Sequence, residues 1–335
     1  MPITDTLNRP LQDLRISVLD RCNLRCTYCM PEESLHGRGV FLPSHHLLSD
    51  GEIELLVRVF TRLGVHKVRL TGGEPLLRPG FVELVSRISA IEGITDLALT
   101  TNAVLLPRYA MALKKAGLGR ITVSLDSLDE TVFREMAGGR GSVTEVLDGI
   151  RAAEEAGFKH LKINTVVQRN INDHTVPELV AHFRNSGHTI RLIEFMDVGN
   201  VNHWDRSLVV PSAELLKIIH DHWALRPVAR QPLAETARRY VFADGAGEIG
   251  FISSITEPFC GDCSRARITA DGTFYSCLFS ARGTKLRDRI RDGLDAEEMT
   301  AVILDLWKKR ADRYSELRNE LPRDQPHVEM YRMGG

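Results

Sequence analysis

The sequence predicts an α/β fold in which a parallel sheet closes into a barrel or part of one. Three observations lead there. Six short β-branched runs recur along the first part of the chain, segments with apolar residues at three-and-four spacing lie between them, and several of those segments end in glycine, as helix C-termini often do. The 335 residues leave room for one large domain or two smaller ones, with capacity for a substantial core.

The first strand is read in LRISVL (14–19), and a cysteine-rich loop follows it. The helical segment EIELLVRVFTRLG comes next, where Ser49 and Glu52 have the spacing of a capping box. KVRLT (67–71) is the second strand and leads to helical FVELVSRISAIEG; LALTT (97–101) leads to YAMALKKAG. RITVSL (120–125) precedes VTEVLDGIRAAEEAG, and LKINTVV (161–167) and IRLIEFM (190–196) complete the set. After about residue 200 the rhythm stops. Helical SAELLKIIHDHW leads into two hairpin-like pieces, RRYVFADGAGEIGFISSI and SRARITADGTFYSCLF, the second with Asp271–Gly272 as a two-residue turn. In the helix-rich tail, Asp295 and Glu298 cap a helix that buries Met299, Val302, Ile303 and Leu306.

Parallel strands covered by helices read as almost continuous apolar runs. Here alternation puts Arg15 and Ser17, Lys67, Arg69 and Thr71, Thr122 and Ser124, and Lys162 and Asn164 on common faces. Exposure at a sheet edge would account for any one of these strands. Four with the same habit imply a polar, mainly cationic barrel interior, suited to a polyanionic ligand.

Net charge is −1, so no global field recruits nucleic acid or an anionic membrane, and neither is expected as a partner. The first twenty residues lack a basic stretch followed by an apolar run, and no segment is long enough to span a bilayer; a cytoplasmic protein is expected. The six cysteines fall into two tight groups of three, with none scattered as disulfide staples would be. In a reducing compartment that grouping implies metal binding or redox chemistry.

Cys22, Cys26 and Cys29 have the spacing C-x3-C-x2-C directly after the first strand, on what would be the catalytic face of a barrel. A Cys3His zinc site completed by His36 is one reading. A [4Fe–4S] cube held by three thiolates, with its fourth iron open, is the other. Cys260, Cys263 and Cys277 are spaced C-x2-C-x13-C; across the expected turn Cys277 faces Ala266 and approaches the Cys260–Cys263 loop. A zinc knuckle competes there too, although two incomplete sites in one chain favour iron–sulfur. Arg265 and Arg267, two apart on one strand face, have the fork geometry that grips phosphate. GAGEIG (245–250) fits a dinucleotide fingerprint by letter, but lies between two strand-like runs and reads as a hairpin turn. His45 and His46 sit in a polar loop before a helix cap and read as solvated. No phosphate-loop motif G-x4-GK[ST] occurs, so triphosphate binding would rest on the barrel cations.

The run CNLRCTYC, with an aromatic before its third cysteine, and TGGEP after the second strand resemble the radical S-adenosylmethionine (SAM) superfamily. The wider pattern covers nearly the whole chain. From LRISVLDRCNLRCTYCMP through KVRLTGGEPLLR, LTTNAVLL, VSLDS, LKINTVVQ and RLIEFMDVGN to FCGDCSRARITADGTFYSCLF and a terminal Gly-Gly, it resembles the GTP 3′,8-cyclase family of molybdenum-cofactor biosynthesis.

That resemblance implies a partial (β/α)6 TIM-type barrel over residues 1–205 and a C-terminal α+β extension over 206–335, carrying a second iron–sulfur cluster and a GTP-binding hairpin. It implies a radical SAM lyase with two [4Fe–4S] clusters and SAM. Cys22, Cys26 and Cys29 would hold the SAM cluster, with Tyr28, Gly73, Ser124 and Met196 at SAM-contacting positions. Gly72 and Gly73 would allow close backbone approach to the methionine ammonium, and Pro75 would fix the turn. Cys260, Cys263 and Cys277 would hold the second cluster, whose open iron receives guanine. GTP contacts carry over to Arg15, Lys67, Arg69, Thr100, Lys162, Arg265 and Arg267. Arg15 and the terminal Gly334 and Gly335 carry over as catalytic.

In the implied reaction a 5′-deoxyadenosyl radical removes hydrogen from C3′ of GTP, the C3′ radical attacks C8, and reduction with protonation, through the second cluster, gives 3′,8-cyclo-7,8-dihydro-GTP. Implied partners are a second copy of the chain in a homodimer, a low-potential flavodoxin- or ferredoxin-type donor, and the next pathway enzyme, cyclic pyranopterin monophosphate synthase. The competing readings are a radical SAM enzyme acting on a peptide, and a non-catalytic zinc or iron–sulfur protein.

Overall fold

In the computed structural model, which describes residues 3–35, 41–229, 235–320 and 327–334, the six β-branched runs become β1 (Asp13–Ser17), β2 (Lys67–Thr71), β3 (Asp96–Thr101), β4 (Arg120–Ser124), β5 (Lys162–Val167) and β6 (Thr189–Glu194). They pair in parallel, in chain order. Between them run α1 (Asp50–Arg62), α2 (Phe81–Ser89), α3 (Leu106–Lys115), α4 (Glu130–Met136), α5 (Val143–Glu155) and α6 (Val176–Phe183). Ser49 and Glu52 form the reciprocal capping box that starts α1.

The remaining elements are α7 (Ser212–His222), β7 (Leu225–Pro227), β8 (Arg238–Phe242), β9 (Glu248–Ile252), β10 (Arg265–Ile268), β11 (Thr273–Tyr275), β12 (Thr284–Lys285), α8 (Leu286–Arg291), α9 (Ala296–Lys308), α10 (Tyr314–Leu317) and α11 (Met330–Met333). The two expected hairpins are β8–β9 and β10–β11. They join opposite edges of the same sheet: β9 runs parallel to β6, and β10 parallel to β1. The strand order is therefore β12-β11-β10-β1-β2-β3-β4-β5-β6-β9-β8-β7. The β/α repeat ends at β6, yet the parallel run extends by one strand on each side.

One turn differs from the sequence expectation. β10 and β11 pair Arg267 with Tyr275 and Ile268 with Phe274, and Thr269 N donates to Thr273 O. The loop is thus three residues, Ala270 to Gly272, with Gly272 at φ +76°, as in a type I turn closed by a left-handed glycine. The extra residue shifts the register by one. Continued past Tyr275, it brings Cys277 toward Arg265 instead of Ala266.

Alternation divides each barrel strand between two environments. Leu14, Ile16, Val68, Leu70, Leu97, Leu99, Ile121, Val123 and Ile163 point outward into the layer covered by the helices and are buried, each worth roughly 1.5–3 kcal/mol. Helix α5 lies close enough to the β3–α3 loop that a Cβ on Gly149 would stand 2.1 Å from Ala103 O. At α9, Asp295 and Glu298 form the second capping box; Met299, Ile303 and also Trp307 are buried, with Val302 and Leu306 on the flanks.

The opposite strand faces are polar. Sheet register lines up Arg265, Asp13 and Lys67 in one row, and Arg267, Arg15 and Arg69 in the next. Thr122 lies beside Lys162, and Asn164 beside Arg191. Among the described residues, no helix is long and apolar enough to cross a membrane.

Candidate active site

The first cysteine loop is built by continuing the β1–β2 pairing beyond the strands. Val18 N donates to Thr71 O (2.8 Å), Gly73 N to Leu19 O (2.7 Å) and Glu74 N to Arg21 O (2.8 Å). A Cβ on Gly72 would lie 2.4 Å from Leu19 O, and one on Gly73 2.1 Å from Arg21 O. These glycines therefore permit close approach between the two loops, and both also line the cavity inside the barrel. Pro75 opens a short 3-10 turn, Pro75–Leu77.

Glu74 ties this turn to the end of β3. Its buried carboxylate accepts Leu76 N (3.0 Å), Thr101 Oγ1 (2.8 Å) and Asn102 N (2.9 Å), and burial raises its pKa to about 7. The far side of the cysteine loop rests on the end of α4, through Arg25 N to Ala137 O and Thr27 N to Met136 O. Tyr28 OH donates to Asp126 Oδ2 (2.7 Å), and Asp126 Oδ1 accepts Val166 N (2.8 Å). Burial pushes the Cys22 thiol up to about 11 and raises Cys26 and Cys29 as well. Thiols in such surroundings give up their protons to a metal centre in preference to bulk solvent.

The second loop has a different electrostatic character. Burial raises the Cys277 thiol to about 11. It acts on Cys263 in the same sense, but Arg265 and Arg310 outweigh it and bring that thiol down to about 6. Arg265 itself lies over the Phe259 ring at 5.2 Å.

All six cysteines are free thiols, and all line one cavity inside the barrel. Among the described residues, no three His, Cys, Asp or Glu side chains converge tightly enough to hold a single metal ion. His36, the fourth donor weighed for zinc, lies outside the described residues. Two sets of three thiols around a shared cavity, each short of a fourth protein ligand, fit clusters that keep one iron open to a small molecule there.

Most of the other candidate residues meet in the same cavity: Arg15, Arg69, Thr100, Arg265 and Arg267 from the GTP set, and Tyr28, Gly73, Ser124 and Met196 from the SAM set. Arg69 Nη1 donates to Thr100 Oγ1 (2.9 Å) and Thr122 Oγ1 (3.0 Å), so Thr100 orients Arg69. Arg15 Nε and Arg69 Nε are buried with no hydrogen-bond partner among the described residues. Asp13 is the local counterion, with Lys67 Nζ at 3.2 Å. Burial would raise its carboxyl, but Lys67, Arg15, Arg69 and Arg265 hold it below its ordinary value. Burial and Arg265 in turn push Arg15 down. An anion added to this row would relieve repulsion among the guanidiniums.

Lys67 and Lys162 do not line the cavity; they open β2 and β5 at its lower end. Lys162 is pushed down to about 7 by burial, then by Arg191, Arg120, Arg69 and Lys67. Arg191, on β6, lines the cavity and was missed in the sequence reading. Alternation, applied to four strands, would have found it in a fifth: it shares a register position with Asn164 and with Gly250, whose missing Cβ would lie 3.5 Å from Arg191 Cγ.

The C-terminal tail reaches this row. Arg267 Nη1 donates to Met333 O (3.1 Å) and to Gly334 O. Gly334 has φ +73°, and a Cβ there would stand 2.3 Å from Thr71 Cγ2. Gly335 lies outside the described residues. Farther out, Asn200 Nδ2 donates to His327 O (2.6 Å) and Asn200 N to Glu329 Oε1 (3.1 Å), clasping the start of the tail.

Two family models match successive stretches of the chain. A model of the radical SAM superfamily matches residues 16–183, and one for Molybdenum Cofactor Synthesis C matches 188–316. A GTP 3′,8-cyclase of Xanthomonas campestris pv. campestris is 51% identical over 334 residues, covering 100% of this chain and 98% of its own. Those of Aquifex aeolicus (45% identical; 99% and 100% covered) and Staphylococcus haemolyticus (43%; 99% and 99%) are also similar throughout. Among solved structures, Streptococcus suis SuiB aligns with a TM-score of 0.59 at 15% identity, over 95% of this chain and 70% of its own. A histidine-tagged anSMEcpe with bound AdoMet aligns with a TM-score of 0.56 at 15% identity, over 96% and 90%. At these identities the structural matches speak for the fold alone.

Proposed function

The chain belongs to the GTP 3′,8-cyclase family of radical SAM enzymes, and from that premise we propose how its cavity carries out the family's reaction. The enzyme converts GTP to 3′,8-cyclo-7,8-dihydro-GTP, the first step of molybdenum-cofactor biosynthesis, using two [4Fe–4S] clusters and SAM. When bound, these cofactors would supply the low-potential electrons and the 5′-deoxyadenosyl radical needed for hydrogen removal from C3′, C3′–C8 bond formation and the one-electron, one-proton reduction that completes the dihydro product.

The chain's own residues bind and aim. Cys22, Cys26 and Cys29 hold the SAM cluster, while Tyr28, Gly73, Ser124 and Met196 face SAM. Cys260, Cys263 and Cys277 hold the second cluster on the guanine side. Arg15, Arg69, Arg191, Arg265 and Arg267, with Lys67 and Lys162 at the starts of their strands, neutralise the triphosphate, and Thr100 keeps Arg69 aligned. Holding GTP at both ends keeps C3′ at the radical source and away from other hydrogens, a positioning effect of the kind worth roughly 7–11 kcal/mol. Gly334, seated between Arg267 and Thr71, acts in catalysis with Arg15 and Gly335.

We assign the barrel to residues 1–205 and the extension to 206–335. A homodimer, a flavodoxin- or ferredoxin-type donor, delivery to cyclic pyranopterin monophosphate synthase and a cytoplasmic location rest on the family resemblance. The observation that carries the reading is that both cysteine sets and the arginine row line one cavity. Incubating the reconstituted protein anaerobically with SAM, dithionite and GTP tests it. Formation of 5′-deoxyadenosine together with GTP consumption is expected; 5′-deoxyadenosine without loss of GTP would overturn the substrate assignment.

A further inference from the structure

The second cysteine loop is braced by a buried charge network for which the reaction described above has no role. Asp5, Arg9 and Arg310 are 5%, 1% and 3% exposed. Arg9 Nε lies 2.6 Å from Asp5 Oδ2, and Arg310 Nη1 lies 3.2 Å from the same oxygen. Two guanidiniums thus share the Asp5 carboxylate, with the Asp312 carboxylate farther off at 3.6 Å from Arg310 Nε, a buried ionic arrangement with a desolvation cost that packing alone does not call for.

The remaining bonds of both arginines go to the cysteine loop and the strand of chain beside it. Arg9 Nη1 donates to Cys260 O (2.9 Å) and Asp312 O (2.7 Å). Arg310 Nη1 donates to Cys263 O (2.7 Å), and Arg310 Nη2 donates to Cys263 Sγ (3.3 Å). Arg310 is itself fixed over the Trp307 ring at 4.6 Å, and its carbonyl accepts Thr6 Oγ1 (2.6 Å). The segment before β1 therefore passes beneath the second cysteine set and locks one guanidinium against a ligand sulfur. The donors to Cys22 Sγ are neutral by contrast: the Leu24 amide at 3.4 Å and the Asn102 amide at 3.7 Å.

We propose that Arg310, held in place by Asp5 and Arg9, is a positioning residue that makes the second cluster easier to reduce than it would be in a neutral setting. The inference rests on the functional reading above, in which Cys263 is a cluster ligand. An N–H donor to a ligand sulfur and a nearby positive charge both favour the cluster state that carries the additional electron. Asp5 and Arg9 contribute by fixing the guanidinium plane, so that one edge faces Asp5 and the Cys263 carbonyl while the other faces the sulfur.

The test is a redox titration followed by electron paramagnetic resonance on the anaerobically reconstituted full chain, comparing wild type with Arg310→Gln and Arg310→Lys. Arg310→Gln should shift the second-cluster potential to more negative values and leave the first unmoved; Arg310→Lys, which keeps the charge but not the fork that joins Asp5 to the Cys263 sulfur, should shift it in the same direction by less. Unchanged second-cluster potentials in both variants, or equal shifts in both clusters, would overturn the proposal. If Arg310→Gln does not retain the second cluster, Arg310→Lys decides alone: a negative shift supports the role and no shift refutes it. A wild-type protein with iron and sulfide for only one cube overturns the functional reading itself, and that is seen before any variant is titrated.

Discussion

Lys162 gives the cationic end of the cavity a signature that can be read without turnover. It opens β5 among Arg191, Arg120, Arg69 and Lys67, and burial together with these charges brings its ammonium down to about 7. A triphosphate beside it would restore the charged form, so GTP binding takes up a proton wherever the pH exceeds that value. In the free protein the charged fraction then falls about tenfold per pH unit, equivalent to ~1.4 kcal/mol. Between about pH 8 and 9, where the γ-phosphate of GTP is already ionised, Kd should weaken by up to ~tenfold. Lys162→Arg, whose guanidinium stays charged, should remove the slope. Calorimetric titration of GTP into the anaerobic protein without SAM, in two buffers of different ionisation enthalpy, measures both Kd and the protons taken up, expected to approach one. A wild-type Kd that is constant over this range, or an equal slope in Lys162→Arg, refutes the assignment. Folding stability should move in the opposite direction. The unfolded chain binds this proton more tightly, so the contribution from Lys162 rises from about pH 7 toward 10.5.

Arg265→Ala or Arg267→Ala should lower GTP turnover by at least tenfold while leaving the first cluster and uncoupled SAM cleavage intact; loss of that cluster, measured as iron and sulfide per chain, would mean that the arginines act structurally. Gly334→Ala places a side chain where φ is +73° and Thr71 Cγ2 is 2.3 Å away, a backbone cost of roughly 1–2 kcal/mol plus the clash. It should cut coupled turnover at least tenfold with little change in Tm. Adding Thr71→Ser, which removes that methyl and keeps the hydroxyl, should recover part of the loss. No recovery would show that the tail acts elsewhere.

The barrel was legible because its local signals agree with its tertiary demands. KVRLT is both a β-branched run and the strand Lys67–Thr71, and Ser49 with Glu52 starts α1 where the capping spacing says it should. The polar strand faces were legible for the same reason: a period of two, once noticed, assigns Arg15 and Arg69 to the interior. What escaped depended on contacts between distant segments. The role of Gly72 and Gly73 is set by the backbone of Leu19 and Arg21, which no spacing within TGGEP reveals. The turn after β10 contains one more residue than Asp-Gly implies, because Thr269 pairs with Thr273 and leaves Gly272 as the left-handed closing residue. Asp5 and Arg310 lie at opposite ends of the chain and meet only because α9 returns beneath the first strand's lead-in. An isolated Asp near one terminus and an Arg near the other carry no local pattern.

The central claim is that this cavity holds GTP with its ribose C3′ at the radical source. GTP deuterated at C3′, incubated anaerobically with the reconstituted enzyme, SAM and dithionite, tests it most directly. Deuterium should appear in the 5′-deoxyadenosine, with one nucleoside formed per GTP consumed. Unlabelled 5′-deoxyadenosine alongside cyclised product would contradict the account.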